Sequence, residues 1–262
     1  MFYIVGLIFV ILIATIIALG THVVEVELRK ISINVPSKFR YVHISDIHNK
    51  LSFVNGRVSN IINSRNPDFV VATGDYSNTQ EGLPNVISEL GDINCKVFMV
   101  LGNYEREEEK NIIKKREITL DLLKDEVLKY DNLKLLVNED AKLNLNESRV
   151  SIYGFDNSTY GNEEYNPKDF NSESDYKIIL AHSPNIINVV SEEQIGYNHI
   201  LVGHTHGKQL NIPINKTAYD KFHIGLKRLN DHQFFSISRG LGTVRIPIRL
   251  KSKPSIDVYD IK

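Results

Sequence analysis

Apolar and polar positions follow three different rhythms along this chain. From Phe2 to Leu19 the sequence FYIVGLIFVILIATIIAL is apolar on every side, with only Gly6 and Thr15 outside the hydrophobic set. VVEVELRKISINV then alternates apolar and polar at period two, which predicts a strand. Short, almost wholly apolar runs follow, each ending in polar residues: Tyr41 to Ser45, FVVAT at 69–73, KVFMVL at 96–101, KIILA at 177–181 and HILVG at 199–203. Such runs fit strands buried on both faces. Helix-like stretches lie between several of them. Phe53 to Asn63 is one, ending before Pro67; Glu105 to Tyr130 is another, highly charged, with Ile112, Ile113, Leu120, Leu122, Leu123 and Val127 as its apolar content. Further strands are expected at Arg149–Tyr153, Phe234–Ser238 and Ser255–Tyr259, and the polar stretch from Asn157 to Asp175 reads as a surface loop. Strand and helix alternation predicts an α/β layered architecture. The economical division is 1–20 as an apolar segment, 21–38 as a leading strand and connector, and 39–262 as one domain.

The first segment has a physical meaning of its own. As a helix, 2–19 would span roughly 27 Å at about 1.5 Å per residue, close to the ~30 Å hydrocarbon core of a bilayer. No charged side chain precedes Glu25. A transmembrane helix at 1–20 is the expectation. A cleaved signal peptide is the rival, with Ala18-Leu19-Gly20 as a small-residue cleavage site, but the run lacks a basic start. Arg29, Lys30, Lys38 and Arg40 follow it. By the positive-inside rule a single-pass protein of the cell membrane with a cytoplasmic domain is expected.

Composition narrows the partners. Lysine and arginine total 31 and aspartate and glutamate 32, so the net charge is -1 and there is no basic field to bind nucleic acid. The single cysteine, Cys95, excludes an intrachain disulfide and a multi-cysteine zinc module.

The nine histidines are more informative, because four of them fall where strands end. Asp46-Ile47-His48 follows the first short run, Gly74-Asp75 the second and Gly102-Asn103 the third; His182 follows KIILA, and Gly203-His204-Thr205-His206 ends HILVG. Sites in open α/β sheets form at the carboxyl ends of strands, so these residues can converge. Carboxylate, imidazole and amide oxygen together suit Mn, Fe or Zn better than calcium. Seven ligands, one of them bridging, are too many for one tetrahedral zinc and suit two divalent metals about 3.5–4 Å apart. The glycines before Asp75, Asn103 and His204 fit turns where backbone passes close to a site. His22, His43, His199, His223 and His232 lack this strand-end placement and read as structural. Arg239, Arg245 and Arg249 read as surface or structural residues, with lining of an anionic substrate path as the alternative.

The order D-x-H, G-D, G-N, H, G-H-x-H resembles the calcineurin-like metallophosphoesterase superfamily over essentially Phe39 to Lys262. The finer pattern, Gly203 to Gln209 and then Ser238-Arg239-Gly240-Leu241-Gly242-Thr243 followed by Pro247 and Arg249, is similar to its bacterial membrane-associated branch. The resemblance implies a two-sheet β-sandwich flanked by helices in four layers, αββα. It implies one metal on Asp46, His48 and His206, a second on Asn103, His182 and His204, and Asp75 between them. Asp75, Asn103, Tyr104 and His206 become the expected catalytic set.

One position departs from the family pattern. Tyr104 stands in Gly102-Asn103-Tyr104-Glu105 where the family has histidine as hydrogen-bond donor or acid. A phenol, with its pKa near 10, donates hydrogen bonds but gives up a proton reluctantly. The expected activity is therefore membrane-anchored hydrolysis of a phosphate ester or pyrophosphate, lipid- or envelope-linked or on a small molecule, by metal-activated hydroxide. Tyr104 should weaken it or shift it toward good leaving groups. The alternative is a catalytically weakened metal-binding scaffold of the same fold.

Overall fold

The computed structural model describes residues 3, 5, 6, 11, 14, 15, 21–109, 115–157, 159–209, 218–250 and 252–262. Most of the apolar segment 1–20 lies outside the described residues. Among those described, no helix is long and apolar enough to cross a membrane.

Among the described residues, two six-stranded sheets carry the fold. The first runs in the order β1 (Glu25–Ile31), β16 (Ser255–Ile261), β2 (Phe39–Ile44), β5 (Phe69–Ala72), β6 (Lys96–Met99) and β9 (Leu133–Leu135). The second runs β10 (Glu139–Leu145), β11 (Ser148–Gly154), β12 (Tyr176–Leu180), β13 (His199–Val202), β15 (Phe234–Ile237) and β14 (Gly225–Arg228). β2, β5, β6 and β9 are parallel, and so are β11, β12, β13 and β15.

Side-chain alternation explains the layering. Phe39 and Tyr41 of β2, Phe69 and Val71 of β5, and Phe98 of β6 point into a core shared with Ile152, Ile178, Leu180, Leu201 and Phe234 of the second sheet. Their neighbours Val42, Ile44, Val70, Ala72, Val97 and Met99 point the other way, against helices. Those helices are α1 (Val58–Asn63), α2 (Leu83–Gly91) and α3 (Asp121–Val127); α4 (Ile186–Glu192) covers the outer face of the second sheet. In α2, Leu83, Val86, Ile87 and Leu90 form the apolar stripe at helical spacing, with Pro84 in the first turn, where a missing N–H costs nothing. Strands with apolar residues on both faces must be covered on both sides. The result is two sheets face to face with helices outside each.

Two expected helices are shorter than their sequence pattern suggests. Phe53–Asn63 begins as a tight hairpin of β3 (Ser52–Phe53) and β4 (Gly56–Arg57), because Gly56 at φ +132° turns the chain before α1 can start. Glu105–Tyr130 is not one helix. β7 (Glu107–Glu109) pairs antiparallel with β8 (Lys115–Glu117), and among the described residues of the stretch only Asp121–Val127 is helical. The backbone register places Glu108 opposite Arg116 and Glu109 opposite Lys115. Ile112 and Ile113 lie outside the described residues. Residues 157–175 form no regular element among those described, yet Phe170 is fully buried against the second sheet.

Two histidines sit between the sheets, as the strand pattern implied for residues away from strand ends. His199 bonds Tyr41 through Nδ1 and Ser236 through Nε2, and His43 Nε2 is 2.8 Å from Thr73 Oγ1. Burial pushes His43 down to about 3 and His199 well below the ordinary imidazole value. Both therefore bind fewer protons folded than unfolded. The stability this implies is complete above the free-histidine pKa of about 6.5 and is lost as pH falls toward 3. His43 alone should cost roughly 2 kcal/mol between pH 7 and pH 5. Urea unfolding at the two pH values checks this: a His43→Asn chain should show a shallower loss than the parent, and an equal slope would contradict it.

Candidate metal centre

Every residue that strand-end spacing singled out arrives at one edge of the sandwich. Asp46 and His48 follow β2, Asp75 follows β5 and Asn103 follows β6; His182 follows β12, and His204 and His206 follow β13. The carboxyl ends of the first sheet's parallel strands meet those of the second. The His182 Nδ1–H donates to the Thr73 carbonyl at 2.7 Å, and the His204 N–H lies 3.1 Å from both Asp46 oxygens.

The ligand-capable atoms form two groups. Asp46, His48, Asp75 and His206 each bring an atom within 4.8 Å of the others, and so do Asp75, His182 and His204. Asp75 belongs to both. Contacts inside the groups are close: His182 Nε2 to Asp75 Oδ2 at 3.2 Å, His48 Nε2 to the same oxygen at 3.6 Å, His206 Nε2 to Asp46 Oδ1 at 3.2 Å, and His204 Nδ1 to His182 Nε2 at 3.0 Å.

The surrounding backbone is held in conformations that ordinary residues avoid. Asp46, His48, Asp75, His204 and His206 all have positive φ, from 44° to 69°. Each such residue costs roughly 1–2 kcal/mol and persists only where its surroundings impose it. Crowding shows the same demand: a Cβ on Gly102 would lie 2.3 Å from Asp75 Oδ1, and one on Gly240 would lie 2.7 Å from Asp46 Cβ.

Charge and hydrogen bonding fit a cation. Asp46, Asp75 and His182 are buried together. Burial pushes the Asp75 carboxyl up, but His182 and His48 outweigh it and hold it well below the carboxylate range. Asp46 is lowered against its own burial by His206, His182 and His48. Burial opposes a charge on His182, yet Asp75 raises it to about 10, so without a cation Nε2 carries a proton toward Asp75, in the place a metal would take. Burial drives His206 down to about 3. Three buried atoms of the ligand-capable side chains lack a hydrogen-bond partner: His48 Nε2, Asn103 Oδ1 and His206 Nδ1. Supporting residues orient the ligands. His182 and His48 donate Nδ1–H to the Thr73 carbonyl and to Asn78 Oδ1, which turns each Nε2 toward the cluster, where it becomes a ligand once any proton on it is displaced. Asn103 spends its amide N–H on Glu107, leaving Oδ1. A neutral-imidazole, carboxylate and amide-oxygen set of this kind accommodates divalent first-row metals.

Sequence reasoning missed four supports. Asn78 and Thr73 orient histidines. Glu105, the acidic end of the third motif, accepts N–H bonds from Asp75, Tyr76 and Gly102 at 2.9, 2.8 and 2.6 Å; burial and Asp75 raise it to about 7. Asn157 ties the long loop to the site by donating to the Gly102 carbonyl at 2.7 Å. Arg249 takes the structural role among those open to it from sequence, not the surface or substrate-path one. It is 1% exposed, and its guanidinium donates to the carbonyls of Gly242, His206 and Ser252. Arg239 pairs with Glu25 and Glu27. Two tyrosines flank the cluster: Tyr104 meets His48 edge-on at 4.8 Å between ring centroids, and Tyr219 meets His204 at 4.6 Å.

The family profile described as calcineurin-like phosphoesterase matches residues 39–208, the stretch that supplies every one of these ligand-capable side chains. This chain belongs to that family. Among its relatives, the uncharacterized metallophosphoesterase YkoQ of Bacillus subtilis is 24% identical over 240 residues, covering 86% of this chain and 84% of the relative. The phosphodiesterase YaeI of Escherichia coli is 23% identical over 239 residues, covering 85% and 82%. A solved structure of a candidate 5′-nucleotidase from Staphylococcus aureus shares the fold at TM-score 0.53 and 10% identity, over 83% of this chain and 54% of that one. As a calcineurin-like phosphoesterase, the chain has the mixed α/β sandwich of its family with a clustered Asp and His site at one edge.

Proposed function

We propose that this calcineurin-like phosphoesterase is a two-metal hydrolase of a phosphate ester or pyrophosphate, held at a membrane by residues 1–20. One observation carries the two-metal reading: Asp75 is common to two separate ligand groups, each within 4.8 Å. Asp46, His48 and His206 would hold one cation, Asn103, His182 and His204 the other, with Asp75 between them. Mn, Fe and Zn are the candidates by donor type. The chemistry such cations supply is Lewis acidity toward a phosphoryl oxygen and a lowered pKa for water. The chain's own part is to fix the ligands. Thr73 and Asn78 set two imidazole tautomers, and Glu105 clamps the turns of Asp75 and Gly102. The phosphodiesterase name of the Escherichia coli relative favours the ester class.

The full chain, stripped of metal and titrated with Mn²⁺, Fe²⁺ or Zn²⁺, should hydrolyse bis(p-nitrophenyl) phosphate and saturate at two equivalents. Saturation at one would overturn the two-metal reading, and metal binding without turnover would favour the scaffold. The cytoplasmic placement of the domain rests on Arg29, Lys30, Lys38 and Arg40. A C-terminal topology reporter that reads as extracytoplasmic would refute it.

Tyr104 tunes rather than removes the activity in this reading. General-acid help contributes about 10²–10⁴-fold, mostly with poor leaving groups. Tyr104→His should therefore raise turnover of a phenyl ester by about 10²-fold and leave the p-nitrophenyl ester nearly unchanged. Equal effects on both esters would contradict an acid role for this position.

A further inference from the structure

The loop that walls the metal centre also carries an apolar rim. On its inner side, Leu241 and Gly242 donate N–H to the Asp46 carbonyl at 3.2 and 2.7 Å, and Arg249 holds the His206 carbonyl. On its outer side, Arg245, Ile246, Pro247 and Leu250 are exposed, Ile246 to 47% and Leu250 to 50%. The backbone presenting them is fixed. Gln209 donates to the carbonyls of Ile246 and Ile248 at 2.7 and 3.1 Å and accepts from the Val244 N–H at 3.1 Å.

The N-terminal apolar run joins the fold at this same place. Arg249 N–H donates to Thr21 Oγ1 at 3.0 Å, one residue from Leu250. The next residue, His22, accepts at its carbonyl from the N–H of Val54, which is 76% exposed. Lys50 Nζ lies 2.9 Å from His22 Nδ1. Val54, Ile246 and Leu250 thus gather around the point where residues 2–19 meet the domain, with Lys50 and Arg245 beside them. Tyr3, Val5 and Ile11 of that run are themselves 94, 61 and 56% exposed.

We propose that this face, formed by Val54, Ile246 and Leu250 with Lys50 and Arg245, seats on the surface of an anionic lipid bilayer. The occupant follows from chain continuity: whatever receives an uncharged run of eighteen residues also meets the side chains that ring its base. The cations suit anionic headgroups. Because one loop forms both the rim and the wall of the metal centre, the centre lies against the headgroup layer. A phosphate carried on a lipid headgroup reaches it without leaving the bilayer. The inference rests on the membrane reading of residues 1–20 and is independent of the hydrolytic reading.

The test uses the full chain with Cys95→Ser and one new cysteine each at Val54, Ile246, Leu250 and, as a control, the 82% exposed Leu128 at the end of α3. Each is labelled with an environment-sensitive nitrobenzoxadiazole dye. Each is then reconstituted in phosphatidylcholine–phosphatidylglycerol vesicles with and without spin-labelled lipid. The three rim probes should shift to the blue and lose most of their emission to the spin label, while Leu128→Cys does neither. Vesicle-bound protein with unquenched rim probes overturns the proposal. So does a blue shift without quenching, which would mean cover by a second copy or by the chain's own segment, and so does equal quenching at Leu128→Cys. Protein that does not float with the vesicles overturns both the face and the anchor. Ester hydrolysis is read on the same samples, and its absence beside quenched rim probes removes the enzymatic reading alone.

Discussion

Asp75→Asn should lower metal-dependent hydrolysis of bis(p-nitrophenyl) phosphate by about 10³-fold or more, equivalent to roughly 4 kcal/mol of transition-state stabilisation. The substitution keeps size and shape, so the turn at φ 56° and the contact with Gly102 survive. What it removes is the negative charge shared by the two ligand groups. His48 and His182 then lose the carboxylate that faces them at 3.6 and 3.2 Å. Metal content measured on the same protein should fall with activity. A variant that keeps both metals and more than about a tenth of the parent rate, a loss under 1.4 kcal/mol, would show that Asp75 is not the shared ligand.

The second large effect is on folding. Arg249→Met should cost about 3–5 kcal/mol in denaturant-measured stability. Arg249 is fully buried and bonds carbonyl oxygens rather than a carboxylate. Burial, the largest influence on it, pulls its pKa down to about 10, while Asp46 acts the other way. Methionine fills similar volume but takes the guanidinium donors from the buried Gly242, His206 and Ser252 carbonyls, leaving His206 only the long bond from Ser252 Oγ. Arg249→Lys should recover only part of the loss, because an ammonium cannot span three carbonyls in the fork geometry of a guanidinium. Metal affinity should weaken in both variants through the His206 backbone. A cost below about 1 kcal/mol, the worth of a single ordinary hydrogen bond, would mean that water replaces the guanidinium.

The ligand-capable positions were readable because each stands at a fixed place relative to a short apolar run. A strand buried on both faces has little chemical freedom until it ends, so a polar residue at its carboxyl end is conspicuous. Elements with weaker patterning were harder to read. Glu105 to Tyr130 shows a helical charge pattern, yet β7 and β8 pair there, and which charges lie opposite each other depends on the partner strand. Arg249 left surface, structural and substrate-path roles open, and nothing local marks it as a buried strut. Its three carbonyl partners lie 7, 43 and 3 residues away.

By itself the sequence determined the apolar segment, the run of strands and the identity of seven side chains able to hold metal, because periodicity and residue chemistry are local properties. Tertiary structure alone decided that two sheets pack face to face with their strand ends together, that Asp75 stands between two ligand groups, and that His43 and His199 are sealed between the sheets. It also decided that the loop beside His206 receives Thr21 and so sets the metal centre next to the base of the apolar run. These are relations between residues distant in the chain, created when burial of apolar faces brings separate elements to one edge.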